Sequence, residues 1–199
     1  MRPEAEANQK LMAEILLDPS TWTPELADFT SQVFDALSAS WVEERSSYRP
    51  APLLDALARA DVRSGGRCLE IGSGTGVLTP YLEEAWGELV CADLSMGMLQ
   101  LSRHSCRIQA DAGALPFPDG TFEAIAIGDA PMFVAETLRV LASEGTLIWS
   151  NALGSDAPYY LSTVDLFDAL AAATPGHTWS AITSEALWGS WAVFRRHSS

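Results

Sequence analysis

Cys68-Leu-Glu-Ile-Gly-Ser-Gly-Thr-Gly-Val-Leu78 joins a short apolar run to three glycines at alternate positions and then to a helix-forming segment. Arg67 to Ile71 predicts a buried strand, and Val77 to Glu84 predicts a helix. A strand that turns through Gly72, Gly74 and Gly76 into a helix N-terminus offers bare backbone N–H groups to a ligand. Glycine allows both the tight turn and the ligand's close approach. The stretch therefore predicts a nucleotide-type site. A dinucleotide fingerprint, G-x-G-x-x-G/A, would need Gly or Ala at position 77, where the chain has Val77. Glu70 stands two residues before the first glycine instead, which suits a ligand carrying a cationic group better than a pyrophosphate.

Outward from this stretch, strand and helix alternate. Glu88 to Ala92 reads as a second strand, Met96 to Arg103 as a helix and Arg107 to Gln109 as a third strand. Phe122 to Ile127 follows as a strand, Phe133 to Leu141 as a helix and Thr146 to Trp149 as a strand. Pro158 to Ala172 predicts a helix, with strands around Trp179 to Thr183 and Ser190 to Arg195. Such alternation predicts an α/β fold, a mostly parallel sheet with helices on both faces.

Three helices are expected before the first strand. Residues 4 to 17 place Leu11, Met12, Ile15 and Leu16 on one face, ended by Asp18-Pro19. Thr23 reads as an N-cap with Pro24 and Glu25 behind it. Leu26, Phe29, Val33, Leu37 and Trp41 then form an apolar stripe at helical spacing. Pro52 to Ala60 is the third helix. This segment either packs against the sheet or forms a lid that carries Trp22, Trp41 or Tyr48 toward a substrate.

Length and charge restrict the function. At 199 residues one domain with a sizeable core is expected, with residues 1–64 as an N-terminal helical cap and 65–199 as the core. A formal net charge of −14 disfavours nucleic acid and anionic membrane surfaces as partners. Cys68, Cys91 and Cys106 form no C-x-x-C pair, and with three histidines they assemble no zinc set, so no metal is expected. A cytoplasmic setting and a monomer or homodimer are the expectations, with no apolar run long enough to span a membrane.

Asp93 ends the second strand, 17 residues after Gly76. A carboxylate there can accept both ribose hydroxyls of a nucleoside; alternatively it caps the helix after Ser95. Asp129 lies just past the fourth strand, in Gly128-Asp-Ala-Pro-Met-Phe133. It is read as a weak candidate catalytic or acceptor-binding group, with a cofactor contact or a helix N-cap as alternatives. His177, in Pro175-Gly-His-Thr178, is the other weak catalytic candidate.

The Glu70-x-Gly72-x-Gly74-x-Gly76 pattern resembles the first motif of the class I S-adenosylmethionine (SAM)-dependent methyltransferases. Leu115-Pro-Phe-Pro-Asp-Gly-Thr-Phe-Glu123 and Arg139-Val-Leu-Ala-Ser-Glu-Gly145 are similar to the small-molecule, type 11, members, so the likeness covers roughly residues 65 to 150. The resemblance implies a Rossmann-like doubly wound fold and SAM as cofactor, with S-adenosylhomocysteine as product. It places the cofactor on Glu70, Gly72, Ser73, Gly74 and Gly76, then on Asp93, Leu94, Asp111, Ala112 and Gly128. Asp111 would accept from the adenine amine, with the Ala112 N–H meeting the ring. The function it implies is methyl transfer to a small-molecule acceptor. A SAM- or nucleoside-binding protein without transfer, acting as a sensor or partner subunit, is the alternative, and an NAD-dependent oxidoreductase a third. Glu144 replaces the usual first glycine before the fifth strand, and the loop after the fourth strand is short, where relatives often carry substrate contacts.

Overall fold

The structure is a computed structural model that describes residues 3–45, 48–62, 65–186 and 188–197. Among them, seven strands form one sheet in the order β3-β2-β1-β4-β5-β7-β6. The strands are β1 (Arg67–Ile71), β2 (Glu88–Asp93), β3 (Arg107–Gln109), β4 (Phe122–Gly128), β5 (Leu141–Ala152), β6 (Thr178–Ala186) and β7 (Gly189–His197). The first five run parallel, and β7 and β6 are antiparallel to their neighbours. All five parallel strands therefore end at one edge, where an open α/β sheet holds its ligands.

Alternation along each strand sorts the core into two layers. Leu69, Ile71, Ile125, Ile127 and Trp149 face Met12, Ile15 and Leu16 of α1 (Pro3–Leu17) and Leu166 and Leu170 of α7 (Thr163–Ala173). Cys68, Cys91, Ala124, Ala126 and Ile148 face the other way. They pack on Leu53 and Ala56 of α3 (Pro50–Arg59) and on Leu82 and Trp86 of α4 (Thr79–Trp86). The remaining helices are α2 (Pro24–Arg45), α5 (Met96–Leu101) and α6 (Val134–Val140).

The expected fold class is the one observed, with helices on both faces, α1 and α3 among them, and residues of the N-terminal segment reaching over the ligand edge. Several local expectations shift. β5 extends to Ala152 because β7 pairs with it that far, Ser150 opposite Trp191 and Ala152 opposite Gly189. The helix expected from Pro158 begins only at Thr163, where the Ser162 hydroxyl accepts the Asp165 N–H. Residues 158–162 form an irregular approach instead, and they carry Tyr159 to the ligand edge.

The largest correction concerns α2. The stripe of Phe29, Val33 and Leu37 is exposed, at 63%, 37% and 41%. The inward face carries Ala27, Thr30, Ser31 and Phe34 instead. The helix docks through polar bonds to the turn between β2 and α5. The Ser31 hydroxyl donates to the Leu94 carbonyl at 3.1 Å, and Asp35 accepts the Gly97 N–H at 2.7 Å and the Ser95 hydroxyl. A Cβ at Gly97 would sit 3.0 Å from the Asp35 Cα, so a side chain there would press α2 outward by a few tenths of an ångström. Contact made by small and polar groups leaves no trace in apolar periodicity.

Candidate functional site

Strand order sets the site in a line. Asp111 follows β3, Asp93 ends β2, Gly72 follows β1 and Asp129 follows β4, and these strands are consecutive neighbours. Adjacent strands lie about 4.8 Å apart, so the row spans roughly 14 Å, the length of an extended nucleoside with a side chain. Above it lies a cavity of about 1240 Å³, its open mouth included. Glu70 to Thr75, Ala92 to Leu94, Ala110 to Ala112 and Gly128 to Pro131 form its floor. Met12, Trp22, Phe34, Trp41 and Arg49 come over it from the N-terminal helices, and Tyr159 closes one side. Tyr48 is not among the lining residues, whereas Trp22 and Trp41 are.

The glycine loop differs from the expectation of bare donors. Gly72 and Ser73 donate to the Ala92 carbonyl at 2.9 and 3.1 Å, and Gly76 donates to the Ser73 carbonyl at 3.0 Å. The Gly74 N–H goes to Asp93 Oδ2 at 2.7 Å. The first two and the last of these N–H groups tie the loop to β2, and that of Gly76 closes the loop on itself, so none of the four is bare. Gly72 holds φ +70°, and a Cβ there would lie 2.5 Å from the Ala130 Cβ. Its lack of a side chain is what lets the loop after β1 touch the segment after β4.

Glu70 is buried at 2% exposure, and its Oε2 accepts the Thr79 hydroxyl at 2.6 Å. Burial pushes its pKa up to about 7, against the lowering effect of the Thr79 and Cys91 bonds. Asp93 is braced by two N–H donors, Ser95 at 2.8 Å on Oδ1 and Gly74 on Oδ2. Burial raises its pKa as well, with those bonds pulling the other way. Asp93 thus lines the cavity and also supports the start of α5, whose cap is the Ser95 hydroxyl.

Asp111 accepts the Gly113 N–H at 2.8 Å and the Trp22 indole N–H on both oxygens, at 3.1 and 3.0 Å. Leu94, Ala112, Ser73 and Gly128 all line the cavity. At Gly128 an added Cβ would meet Leu78 Cδ1 at 2.3 Å.

Asp129 adopts φ +50°, a left-handed conformation that few non-glycine residues take. Its Oδ1 accepts the Ala152 N–H at 3.0 Å, and its Oδ2 lies 3.4 Å from Arg49 Nη1. The N-cap position of α6 belongs to Phe133, so Asp129 does not cap that helix. His177 sits in the exposed turn before β6. Thr178 pairs with His197 at the far end of β7, so this turn lies at the edge opposite the cavity. The antiparallel pair reverses direction, which local sequence does not reveal. His104 is tucked against the Leu89 carbonyl at 2.9 Å.

Comparison with known proteins agrees with this geometry. Residues 69–149 match the family model described as methyltransferase domain. That segment carries the methyltransferase-domain pattern. The ubiquinone/menaquinone biosynthesis C-methyltransferase UbiE of Cronobacter sakazakii is 31% identical over 146 residues, 61% of this chain and 58% of that protein. A demethylmenaquinone methyltransferase of Corynebacterium urealyticum is 42% identical over 71 residues, 35% of this chain and 31% of that one. The chain thus spans less than two thirds of the length of either relative. Among solved structures, the DhpI–SAH complex aligns with TM-score 0.68 and 19% identity, over 87% of this chain and 98% of that one. A SAM-dependent methyltransferase from Aquifex aeolicus gives 0.63 and 17%, over 81% and 97%. The resemblance to class I SAM-dependent methyltransferases holds in sequence over the central segment and in fold over most of the chain. The cavity floor, which carries the carboxylates of Asp93 and Asp111, fits SAM.

Proposed function

We propose that the protein transfers a methyl group from SAM to a small-molecule acceptor. The observation that carries this is the row of Asp111, Asp93 and Gly72 leading along the floor toward a chamber walled by Phe34, Trp41 and Tyr159. Phe34 meets Trp41 edge-on at 5.5 Å and lies 6.3 Å from Tyr159. A roof of N-terminal helices above this chamber favours an acceptor small enough to be enclosed.

When bound, SAM supplies a methyl group made electrophilic by its sulfonium. The chain's own residues hold, orient and keep dry. Asp93 accepts from the ribose, Asp111 and the Ala112 N–H meet the adenine, and Gly72 and Gly128 leave room for the rest. The ionisable lining groups are Glu70, Asp93, Asp111, Asp129, Arg49 and Tyr159, and among the described lining residues there is no His, Lys or Cys. Transfer then relies on positioning, which contributes about 7–11 kcal/mol for well-oriented reactants. Such a site suits an acceptor that carries its own nucleophile, such as an electron-rich ring carbon or an amine. The relatives named as quinone C-methyltransferases support the first of these.

The test is release of S-adenosylhomocysteine from SAM in the presence of a panel of hydroxylated aromatics and amines. Acceptor-dependent release supports transfer. Tight S-adenosylhomocysteine binding without release for any acceptor would favour a binding protein instead.

A further inference from the structure

Two helices wall the cavity above its floor. α1 turns Asn8, Leu11 and Met12 toward it, at the three- and four-residue spacing that puts side chains on one helix face. α2 turns Thr30, Phe34 and Trp41 toward it, again one face. Tyr159 adds to this wall, 6.3 Å from Phe34. Each helix face is aliphatic or aromatic apart from one neutral hydrogen-bonding side chain, Asn8 on α1 and Thr30 on α2. Neither of these two side chains has a hydrogen-bond partner among the described residues.

The charged lining groups lie elsewhere. Glu70, Asp93 and Asp111 belong to the floor, and Arg49 faces Asp129 at 3.4 Å. The rotation of α1 is set by the residue beside Asn8. The Gln9 amide donates to the Ser155 and Ala157 carbonyls at 2.9 and 2.7 Å. Those carbonyls belong to the segment that leads to Tyr159, so the two bonds tie the helix carrying Asn8 to the chain carrying Tyr159. A charged acceptor entering between these helices would leave water for a wall that holds no opposite charge. A flat, uncharged ring with a hydroxyl or carbonyl would meet aromatic side chains and an amide able both to donate and to accept.

We infer that Asn8 recognises the methyl acceptor by hydrogen bonding, and that the acceptor is an uncharged aromatic molecule bearing a ring hydroxyl or carbonyl. This rests on the transfer reading proposed above and names the substrate class of the same site. Asn8 moves no proton; it selects the ring and orients it against Phe34 and Tyr159. Thr30, one helical turn before Phe34, offers a hydroxyl to a second ring substituent.

Four probes built on one ring system test this, with binding to the full chain followed by equilibrium dialysis at saturating S-adenosylhomocysteine. They are 2-naphthol, naphthalene, 2-naphthoate and (2-naphthyl)methylammonium. The unmodified protein should bind 2-naphthol about 3- to 10-fold more tightly than naphthalene, as one neutral hydrogen bond implies. It should bind 2-naphthol at least about tenfold more tightly than either ion. In Asn8→Leu the preference over naphthalene should fall below about twofold, with S-adenosylhomocysteine affinity unchanged within about twofold. Asn8→Asp keeps the shape and adds a carboxylate, so it should tighten the ammonium probe by about tenfold, a gain that misfolding does not imitate. Three results overturn the inference while leaving the cofactor site standing: no binding of 2-naphthol, an ion bound as tightly as 2-naphthol, or a preference for 2-naphthol that survives in Asn8→Leu. An Asn8→Asp variant that binds S-adenosylhomocysteine but gains nothing for the ammonium probe overturns it as well. Failure of the unmodified protein to bind S-adenosylhomocysteine overturns the transfer reading itself, and the acceptor class with it.

Discussion

The indole N–H of Trp22 lies 3.1 and 3.0 Å from the two carboxylate oxygens of Asp111, across 89 residues of sequence. One residue belongs to the turn between α1 and α2, the other to the loop after β3. The contact latches the N-terminal cap onto the Asp111 end of the row, and the Trp22 ring is further held edge-on by Phe133 at 5.6 Å.

Trp22→Phe keeps the ring contact and removes the donor. Asp111 would retain only the Gly113 N–H among its described donors. A part-buried hydrogen bond to a carboxylate implies a loss of about 1–2 kcal/mol in urea unfolding. A loss under about 0.5 kcal/mol would mean that the cap does not close on Asp111 in solution.

Asp93→Ala removes the carboxylate that serves both the cavity and the Gly74 and Ser95 N–H groups. S-adenosylhomocysteine binding, followed by calorimetry, should weaken by about 10- to 150-fold. A change under about threefold in a folded variant would remove Asp93 from the ribose-binding role.

Glu70 makes stability depend on pH. Its pKa is raised from 4.5 to about 7, so between those values the folded state binds more protons than the unfolded one. Stability therefore falls as pH rises through that window and levels off above it. A shift of that size amounts to roughly 3 kcal/mol. Glu70→Gln should flatten the slope, so that urea unfolding at pH 5 and pH 8 differs by less in the variant than in the unmodified protein. Equal slopes in the two would mean that Glu70 is ionised in the fold at ordinary cost.

His177→Ala should leave S-adenosylhomocysteine affinity and any acceptor-dependent turnover unchanged within about twofold, because the turn lies at the edge opposite the cavity. A tenfold loss of turnover would return His177 to the site and contradict the observed strand direction.

Local pattern carried the floor of the cavity. Glycines at alternate positions, a carboxylate at the end of the next strand and another after β3 are properties of short windows. Each depends on bonds made within a turn or between adjacent strands, so Gly72, Asp93 and Asp111 could be placed from sequence. Strand alternation was equally legible, because burying both faces of a parallel sheet demands apolar runs of strand length.

Other features are absent from any window. The exposed stripe on α2 looked like a core face because periodicity records which residues share a side and is silent on which side meets the protein. Polar bonds from Ser31 and Asp35 to the turn before α5 settled that orientation. Arg49 is an ordinary basic residue until folding sets it against Trp41 and Asp129, 80 residues away.

The sequence by itself determined the α/β alternation, the glycine turn and the acids that follow β2 and β3, because these arise from contacts close along the chain. Only the tertiary structure decided that the Gly72, Ser73 and Gly74 N–H groups are spent on β2, that His177 faces away, and that Trp22 and Arg49 complete the cavity. Those outcomes come from long-range pairing, where strand direction and helix docking bring together groups whose separation in sequence carries no signal.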